Sequence, residues 1–459
     1  MNNDNEFLGT EPVGKLLFKL ALPTLAAQIV NMLYNIVDRI YIGHMPGDGK
    51  LALTGVGVCL PIIMIVSAFA ALVSAGGAPR ASIFMGQGSK EKAEETLGSC
   101  LTLQIITSVI LTAILLIFGK PLLMSFGASE NTIGYAADYL NIYAIGTIFV
   151  QITLGMNAFI TAQGFAKTSM LTVLIGAFLN IALDPLFIFA FKMGVRGAAL
   201  ATIISQCVSC IWVLKFLSGN KTVLRIKKEN LKLVGSVILP CIALGLAPFI
   251  MQSSESIISV CFNSSLQRYG GDLAVGAMTI LSSIMMFASL PVQGIAMGAQ
   301  PILSYNFGAR NKERVKKAFK LLLVSALSYT FVLWLAVMAV PQLFARIFTT
   351  DGELVRYAAK ALRVYYFGMG IFGIQMACQM TFNSLGNAKA SIIVAVMRKF
   401  ILLIPLIYIL PAFMADKTMA VYLAEPVADI LSVIFAGTLF IFEFKKALKS
   451  ISDPDPAKA

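Results

Sequence analysis

Long apolar stretches alternate with short polar loops along almost the whole chain. Twelve such stretches can be marked, at residues 15–43, 52–79, 96–118, 134–160, 168–191, 195–218, 234–264, 274–302, 319–342, 355–384, 390–413 and 418–442. About 20 mostly apolar residues cross a bilayer as a helix, whereas a strand of a membrane barrel needs only about 10 residues of alternating polarity. The lengths therefore predict an all-α integral membrane protein with twelve transmembrane helices.

Composition and charge support this prediction. Of the 459 residues, 58% are hydrophobic and 13% are charged, which is about half the charged fraction of a soluble domain. Most Lys and Arg residues fall in the loops on the side that holds the N-terminus, and such an excess is typical of cytoplasmic loops. We therefore expect both termini in the cytoplasm, contacts between the basic loops and membrane lipids, and no nucleic-acid partner, even though the net charge is +13.

Several local patterns recur at an offset of 217 to 222 residues. Pro23 precedes Asp38 by the same spacing that separates Pro240 from Glu255, and a Gly-x-Ala-Lys turn occurs at 164–167 and again at 386–389. The repetition predicts two six-helix lobes related by a pseudo-two-fold axis along the membrane normal. The expected divisions are an N-terminal lobe at 1–218, a basic cytoplasmic linker at 219–233, a C-terminal lobe at 234–443 and a cytoplasmic tail at 444–459. Parallel repeats of this kind are typical of transporters with a binding site between the lobes.

Polar and ionisable residues inside the predicted helices of the first lobe are candidates for function, because they are costly in lipid. Asp38 shares a helix face with Asn31, Tyr34 and Asn35, while the fifth helix carries Asn180 and Asp184 and the sixth carries Thr202 and Gln206. Oxygen ligands of this kind suit a hard cation such as Na⁺, and two neighbouring carboxylates also favour binding of a proton. The alternative is that Asn180 only joins helices and that the Thr202 hydroxyl bonds to its own helix.

The second lobe carries a matching polar stripe. Met251, Gln252 and Glu255 lie on one face of the seventh helix, and Gln375 and Gln379 lie on one face of the tenth, where Gln379 falls near the position of Asn157 in the first lobe. We expect these residues to line a substrate cavity, and hydrogen bonds between helices are the alternative for the glutamines. The cavity is expected to include residues of the first lobe as well: Asn31, Tyr34, Asn35, Asn157 and Gln206.

Further polar and conformational features occur within the predicted spans. Of the remaining charges, Lys399 is expected to extend to the membrane surface and Glu425 to reach water. Pro23 removes a backbone hydrogen bond from the first helix and is expected to kink it as the transporter changes conformation.

The chemistry of enzymes and cofactors finds no support in the sequence. One His and seven scattered Cys residues form neither a zinc motif nor a disulfide framework. No nucleotide-binding loop or nucleophile with a nearby base can be identified, so we predict no enzyme activity and no cofactor. The energy for transport is therefore expected to come from an ion gradient.

Five motifs give the chain a resemblance to a known family: the first helix that ends in Asp38-Arg-Ile-Tyr-Ile-Gly, the paired Gly-Gln-Gly-Ser and Gly-Ala-Arg loops, the turn Gln163-Gly-Phe-Ala-Lys, the run Asn180-x-x-x-Asp184-Pro-Leu-Phe-Ile, and Pro426-Val-Ala-Asp429. Over nearly its full length the sequence resembles the multidrug and toxic compound extrusion (MATE) family, and within it the bacterial branch that contains the MepA-like exporters.

The resemblance implies a V-shaped exporter that exchanges a bulky, often cationic drug for H⁺ or Na⁺. It implies a cation site on the residues Asp38, Asn180, Asp184 and Thr202, and a location in the bacterial inner (cytoplasmic) membrane. A carboxylate matching Glu255 matters in another branch of the family. Because Gln375 and Gln379 stand where that branch has an acidic residue, we expect Glu255 to attract cationic substrate rather than the coupling ion.

The expected function is therefore secondary active multidrug export by alternating access, with drug-like small molecules as substrates and a monomer as the working unit. The main alternative is a flippase for lipid-linked precursors. Its cavity is expected to be strongly cationic in order to hold pyrophosphate, whereas the deep charges of this sequence are mainly acidic. A membrane-embedded enzyme is a weaker alternative.

Overall fold

The computed structural model describes residues 6–47 and 49–451, and these residues form helices and connecting loops with no β-strand. Ten helices in this part of the chain are long and apolar enough to cross a membrane, which confirms the predicted all-α membrane protein. In chain order the helices are α1 (Glu6–Thr10), α2 (Val13–Gly43), α3 (Gly49–Gly86), α4 (Lys90–Ser125), α5 (Ile133–Ala162), α6 (Ala166–Pro185), α7 (Val195–Ser218), α8 (Gly235–Gly308), α9 (Lys312–Ala339), α10 (Pro341–Arg346), α11 (Gly352–Tyr365), α12 (Met369–Ser384), α13 (Ala388–Val396), α14 (Ile404–Phe413) and α15 (Lys417–Ser450).

Short segments of other helix types complete the helices. A π-helical segment, Leu186–Ala190, extends α6, and a second one, Met397–Leu403, joins α13 to α14. A single 3₁₀ turn, Lys228–Asn230, lies between α7 and α8.

Helix α8 is a hairpin rather than one rod. Gly271 has non-helical backbone angles (φ 62°, ψ −158°), a left-handed φ that glycine adopts without the strain of a side chain. The backbone of Gly245 lies against Leu72 and that of Gly308 against Ile83, so both ends of α8 meet the same end of α3. Two of the expected spans therefore lie in the two arms of α8, at 235–270 and 272–308.

One further expected span, at 355–384, is divided between α11 and α12. Neither helix alone reaches the length needed to cross a membrane, and residues 366–368 separate them. These two features account for the difference between ten long helices and twelve expected spans.

Hydrophobic cores divide the molecule into two regions at one end and join them at the other. One core is built from residues between 42 and 199, and another from residues between 258 and 428. A third core combines Leu8, Leu16 and Leu20 with Ile302 and Leu303. The two parts of the chain thus pack together at the end that holds α1, and each keeps its own core at the opposite end.

The segment between α7 and α8 is docked on the first part of the chain. The Gln163 Oε1 atom accepts hydrogen bonds of 2.9 Å from Thr222 Oγ1 and from the backbone N–H groups of Val223 and Leu224. The buried Glu94 carboxylate lies 2.6 Å from Lys227 Nζ, and this contact raises the pKa of the Lys227 ammonium.

Candidate functional site

Three helices bring the predicted ion-site residues of the first part of the chain together. Helix α2 carries Asp38, α6 carries Asn180 and Asp184 one turn apart, and α7 carries Thr202. Asn180 Nδ2 donates to Asp184 Oδ1 at 3.3 Å and to Thr202 Oγ1 at 3.4 Å. Asp38 and Asp184 are close enough to share a hydrogen bond when one of them is protonated. Asp184 is fully buried, and Asp38 is 8% exposed.

The polar atoms of this group are incompletely paired. Asp38 Oδ1, Asn180 Oδ1 and Asp184 Oδ2 are buried without a hydrogen-bond partner. Within the described residues neither carboxylate forms an ion pair, and Arg39 is exposed. Unpaired buried oxygens cost free energy, and two uncompensated carboxylates cost more. The group therefore fits a proton or a Na⁺ ion, since carbonyl and carboxylate oxygens are ligands for hard cations.

The other predicted residues of the first part lie on α2 and α7, the helices that also carry Asp38 and Thr202. Tyr34 is half-buried and neighbours Asp38. Asn31 and Asn35 are exposed, and Asn35 Nδ2 donates to the Asn31 backbone oxygen at 2.6 Å. Gln206 is half-buried, with its side-chain oxygen unpaired. Tyr139 on α5 lies near Asp38 and Thr202, and sequence reasoning did not identify it.

The second part of the chain holds a charge cluster. Arg398 lies 2.9 Å from Glu425 and 2.8 Å from Asp429, and its guanidinium lies 4.8 Å from the centre of the Phe372 ring. Lys399 Nζ lies 2.6 Å from Glu255 Oε1. We refer to Arg398, Lys399, Glu255, Glu425 and Asp429 as the second-half charge cluster.

Two expectations about this cluster were wrong. Lys399 is 4% exposed and Glu425 is 5% exposed, so Lys399 does not extend to the membrane surface and Glu425 does not reach water. Each finds an opposite charge inside the protein instead, and pairing of this kind is what makes buried charges tolerable. Glu255, which was expected to attract cationic substrate, also has a cationic partner within the protein.

A signal for the cluster was present in the sequence. Glu425 and Asp429 are four residues apart and so share a helix face. Arg398 and Lys399 are adjacent, and neighbouring side chains on an α-helix point about 100° apart. Both are buried and lie in the π-helical segment Met397–Leu403, which no pattern in the sequence revealed.

The polar residues of α5 and α12 bond to the helices that follow them. Asn157 Nδ2 donates to the Ser169 backbone oxygen at 3.3 Å, and Gln379 Nε2 donates to the Ser391 oxygen at 3.2 Å and to its hydroxyl at 2.6 Å. Both pairs have the same spacing, so the internal repeat extends to this hydrogen bond. This hydrogen bond between helices is the alternative that the sequence left open to a role in lining the cavity. Gln375 is buried with an unpaired oxygen.

The remaining predicted residues lie on α8 and α2. Met251 and Gln252 are half-buried on the arm of α8 that carries Glu255. Pro23 is buried in a helix that runs without interruption from Val13 to Gly43, and the neighbouring Thr24 hydroxyl donates to the Gly294 oxygen of α8 at 2.8 Å.

Comparisons with known proteins identify the family of the chain. The model of the MatE family matches the chain twice, at residues 23–186 and 247–409. The multidrug export protein MepA of Staphylococcus haemolyticus (strain JCSC1435) is 24% identical over 427 residues, which cover 93% of each chain.

Two solved structures also share the fold. The MATE multidrug transporter DinF-BH, solved in complex with a ligand, is 34% identical with a TM-score of 0.88, and the match covers 96% of this chain and 98% of that one. A MATE crystal structure in a bent conformation is 23% identical with a TM-score of 0.92, and covers 99% of this chain and 100% of that one.

Proposed function

The chain belongs to the MatE family of membrane transporters, and we propose that it exports drug-like molecules in exchange for H⁺ or Na⁺ by alternating access. Membership of a transporter family agrees with the expectation that the chain is not an enzyme. The observation that carries the proposal is the group of Asp38, Asn180, Asp184 and Thr202, where three buried oxygens lack a hydrogen-bond partner and, within the described residues, neither carboxylate forms an ion pair. A site that is stabilised by a cation and accessible from one side has the properties needed for ion coupling.

The architecture we propose consists of twelve transmembrane helices in two lobes, at 1–218 and 234–443, with the linker at 219–233 and the tail at 444–459. The hairpin of α8 and the pairing of α11 with α12 favour this count, and the double match of the family model favours two related lobes. Residues 1–5 and 452–459 lie outside the described part of the chain. We also propose that the protein is a monomer in the bacterial inner membrane and that both termini are cytoplasmic.

The proposed substrates are cationic or amphipathic drugs. The relatives named as multidrug exporters support this class. The second-half charge cluster contributes three carboxylates and two cations, so its net charge is negative when all five groups are ionised. A negative wall favours a cation over the pyrophosphate of a lipid-linked precursor. In this proposal the cavity is lined by Asn31, Tyr34, Asn35, Gln206, Met251, Gln252 and Glu255. Its walls are supported by Asn157, Gln375 and Gln379. Pro23 lies at a point where the first helix changes shape.

Transport by purified protein in liposomes tests the proposal. A cationic dye is followed under a pH gradient without Na⁺, and then under a Na⁺ gradient at equal pH. We expect one of the gradients to drive dye movement, and we expect Asp38→Asn to lower that rate by at least about tenfold, because it removes one of the two charges that hold the ion.

Asp138→Asn is the matched control. It makes the same chemical change at an exposed residue whose partner is Arg196 at 3.0 Å, and we expect a rate close to that of the wild type. Dye movement that is driven equally well in Asp38→Asn would reject the ion site. The absence of movement under both gradients would reject ion-driven export of cations.

A further inference from the structure

The side chains of the second-half charge cluster differ in their exposure to solvent. The side chains of Arg398, Lys399, Glu425 and Asp429 are between 3% and 6% exposed, whereas the Glu255 side chain is 55% exposed. Lys399 therefore holds Glu255 from the buried side, and the other side of the Glu255 carboxylate is open. A cationic group can approach Glu255 without first breaking into the protein interior.

The charges of the cluster are also unequal in number. Arg398 is shared by Glu425 and Asp429, so this buried triad has one negative charge in excess when all three groups are ionised, while Lys399 and Glu255 neutralise each other. Lys399 lies within electrostatic range of Glu425, and Arg398 lies within range of Glu255. The five groups therefore act as one electrostatic unit that lacks a single positive charge.

We propose that this cluster is a site for one positive charge of the substrate, and that Lys399 is its tethered counter-ion. When a substrate cation pairs with the open side of Glu255, the Lys399 ammonium turns from Glu255 toward Glu425 and Asp429. The arriving charge then brings the cluster to neutrality without leaving any carboxylate unpaired. Both cations lie in the π-helical segment Met397–Leu403, and such segments are frequent at functional sites.

This inference rests on the proposed function and adds to it the number of charges that the substrate carries. It makes Lys399 a residue that determines specificity. With Lys399 present the cluster accepts one charge, and a second positive charge on the ligand finds no carboxylate left to neutralise it. Removal of the Lys399 charge creates room for that second charge.

The test uses two dyes with the same phenanthridinium fluorophore, ethidium with one positive charge and propidium with two. Their dissociation constants are measured by fluorescence anisotropy on the purified full-length protein. The readout is the ratio of the two constants, because a change in folding or cavity shape that weakens both dyes equally leaves this ratio unchanged. We expect wild type to favour ethidium.

In Lys399→Met the preference is expected to shift toward propidium by about tenfold, since the cluster then lacks two positive charges instead of one and attracts the dication more strongly. Lys399→Arg keeps the charge and should retain the wild-type ratio. Glu425→Gln removes the excess negative charge and should shift the preference further toward ethidium. Lys389→Met, the same substitution at an exposed position of α13, is the matched control.

An unchanged ratio in Lys399→Met and in Glu425→Gln, with melting temperatures and elution profiles showing folded protein, would overturn the tethered counter-ion. If Lys399→Met does not fold, the Glu425→Gln ratio decides the question alone. A wild-type protein that binds neither dye and transports no cation would overturn the proposed function, so the two failures are distinguishable.

Discussion

Two buried charged sites occupy comparable places in the two parts of this chain, yet their electrostatics differ. In the first part, Asp38 and Asp184 form no ion pair within the described residues, and the exposed Arg39 acts on Asp38 only at longer range. In the second part, Arg398 and Lys399 neutralise two of three carboxylates. One site depends on a charge from outside the protein, whereas the other supplies most of its own.

The difference in charge balance indicates that the two repeats of the fold have different functions. A buried carboxylate without a partner raises the free energy of the protein until a cation binds, and this is a property that suits an ion-coupling site. A nearly neutral cluster is stable without a ligand, so it can present one carboxylate to a cavity throughout the transport cycle. We therefore assign ion binding to the first site and recognition of substrate charge to the second.

The largest change in stability is expected when Arg398 of the second-half charge cluster is replaced. Arg398→Met leaves Glu425 and Asp429 buried without their guanidinium, and the loss should be about 4 kcal/mol of stability. Thermal unfolding in detergent measures it. Arg346→Met, at an exposed arginine of α10, should change the unfolding temperature little. The triple variant that adds Glu425→Gln and Asp429→Asn should recover most of the loss, and a failure to recover would contradict the electrostatic explanation.

A smaller change in stability is expected at the turn that begins at Gln163, where the two repeats differ in sequence. Gln163 anchors the linker in the first repeat, and Leu385 occupies the corresponding place in the second. Gln163→Leu leaves the backbone N–H groups of Val223 and Leu224 without their acceptor, while the Thr222 hydroxyl can still donate to the Leu224 oxygen at 2.9 Å. The substitution should cost about 3 kcal/mol. It should also speed tryptic cleavage near Lys221 and Lys227. Gln342→Leu, at an exposed position, is the control. Unchanged cleavage would mean that other contacts hold the linker.

The smallest expected change is a gain in stability, and it tests the site of Asp38 and Asp184. Asp184→Asn removes one of two uncompensated buried carboxylates, so we expect this variant to be more stable than wild type by about 1 to 2 kcal/mol in Na⁺-free buffer. The stabilisation that the coupling ion gives to wild type should also disappear. Melting temperatures in NaCl and in choline chloride, at acidic and at alkaline pH, measure both effects. A variant that is destabilised and still responds to the ion would contradict the assignment.

The sequence grouped the residues of the first site better than those of the second. Asp38, Asn180, Asp184 and Thr202 could be grouped because intramembrane carboxylates are rare and Asn180 and Asp184 share a face. Lys399 and Glu425 were misplaced, because a snorkelling or shallow charge and a paired charge look identical along the chain. Only the contact between two distant helices distinguishes them.

Hydrophobic periodicity, the lengths of the apolar stretches and the internal repeat were sufficient to establish an all-α membrane protein and the residues that deserved examination. These properties depend on local composition and on the thickness of a bilayer. The pairing of Arg398 with Glu425, the burial of Lys399 behind Glu255 and the three unpaired oxygens near Asp38 depend on which helices meet and how each is rotated. Rotation is set by packing against neighbouring helices, and a π-helical turn changes it at a point that the order of residues alone does not mark.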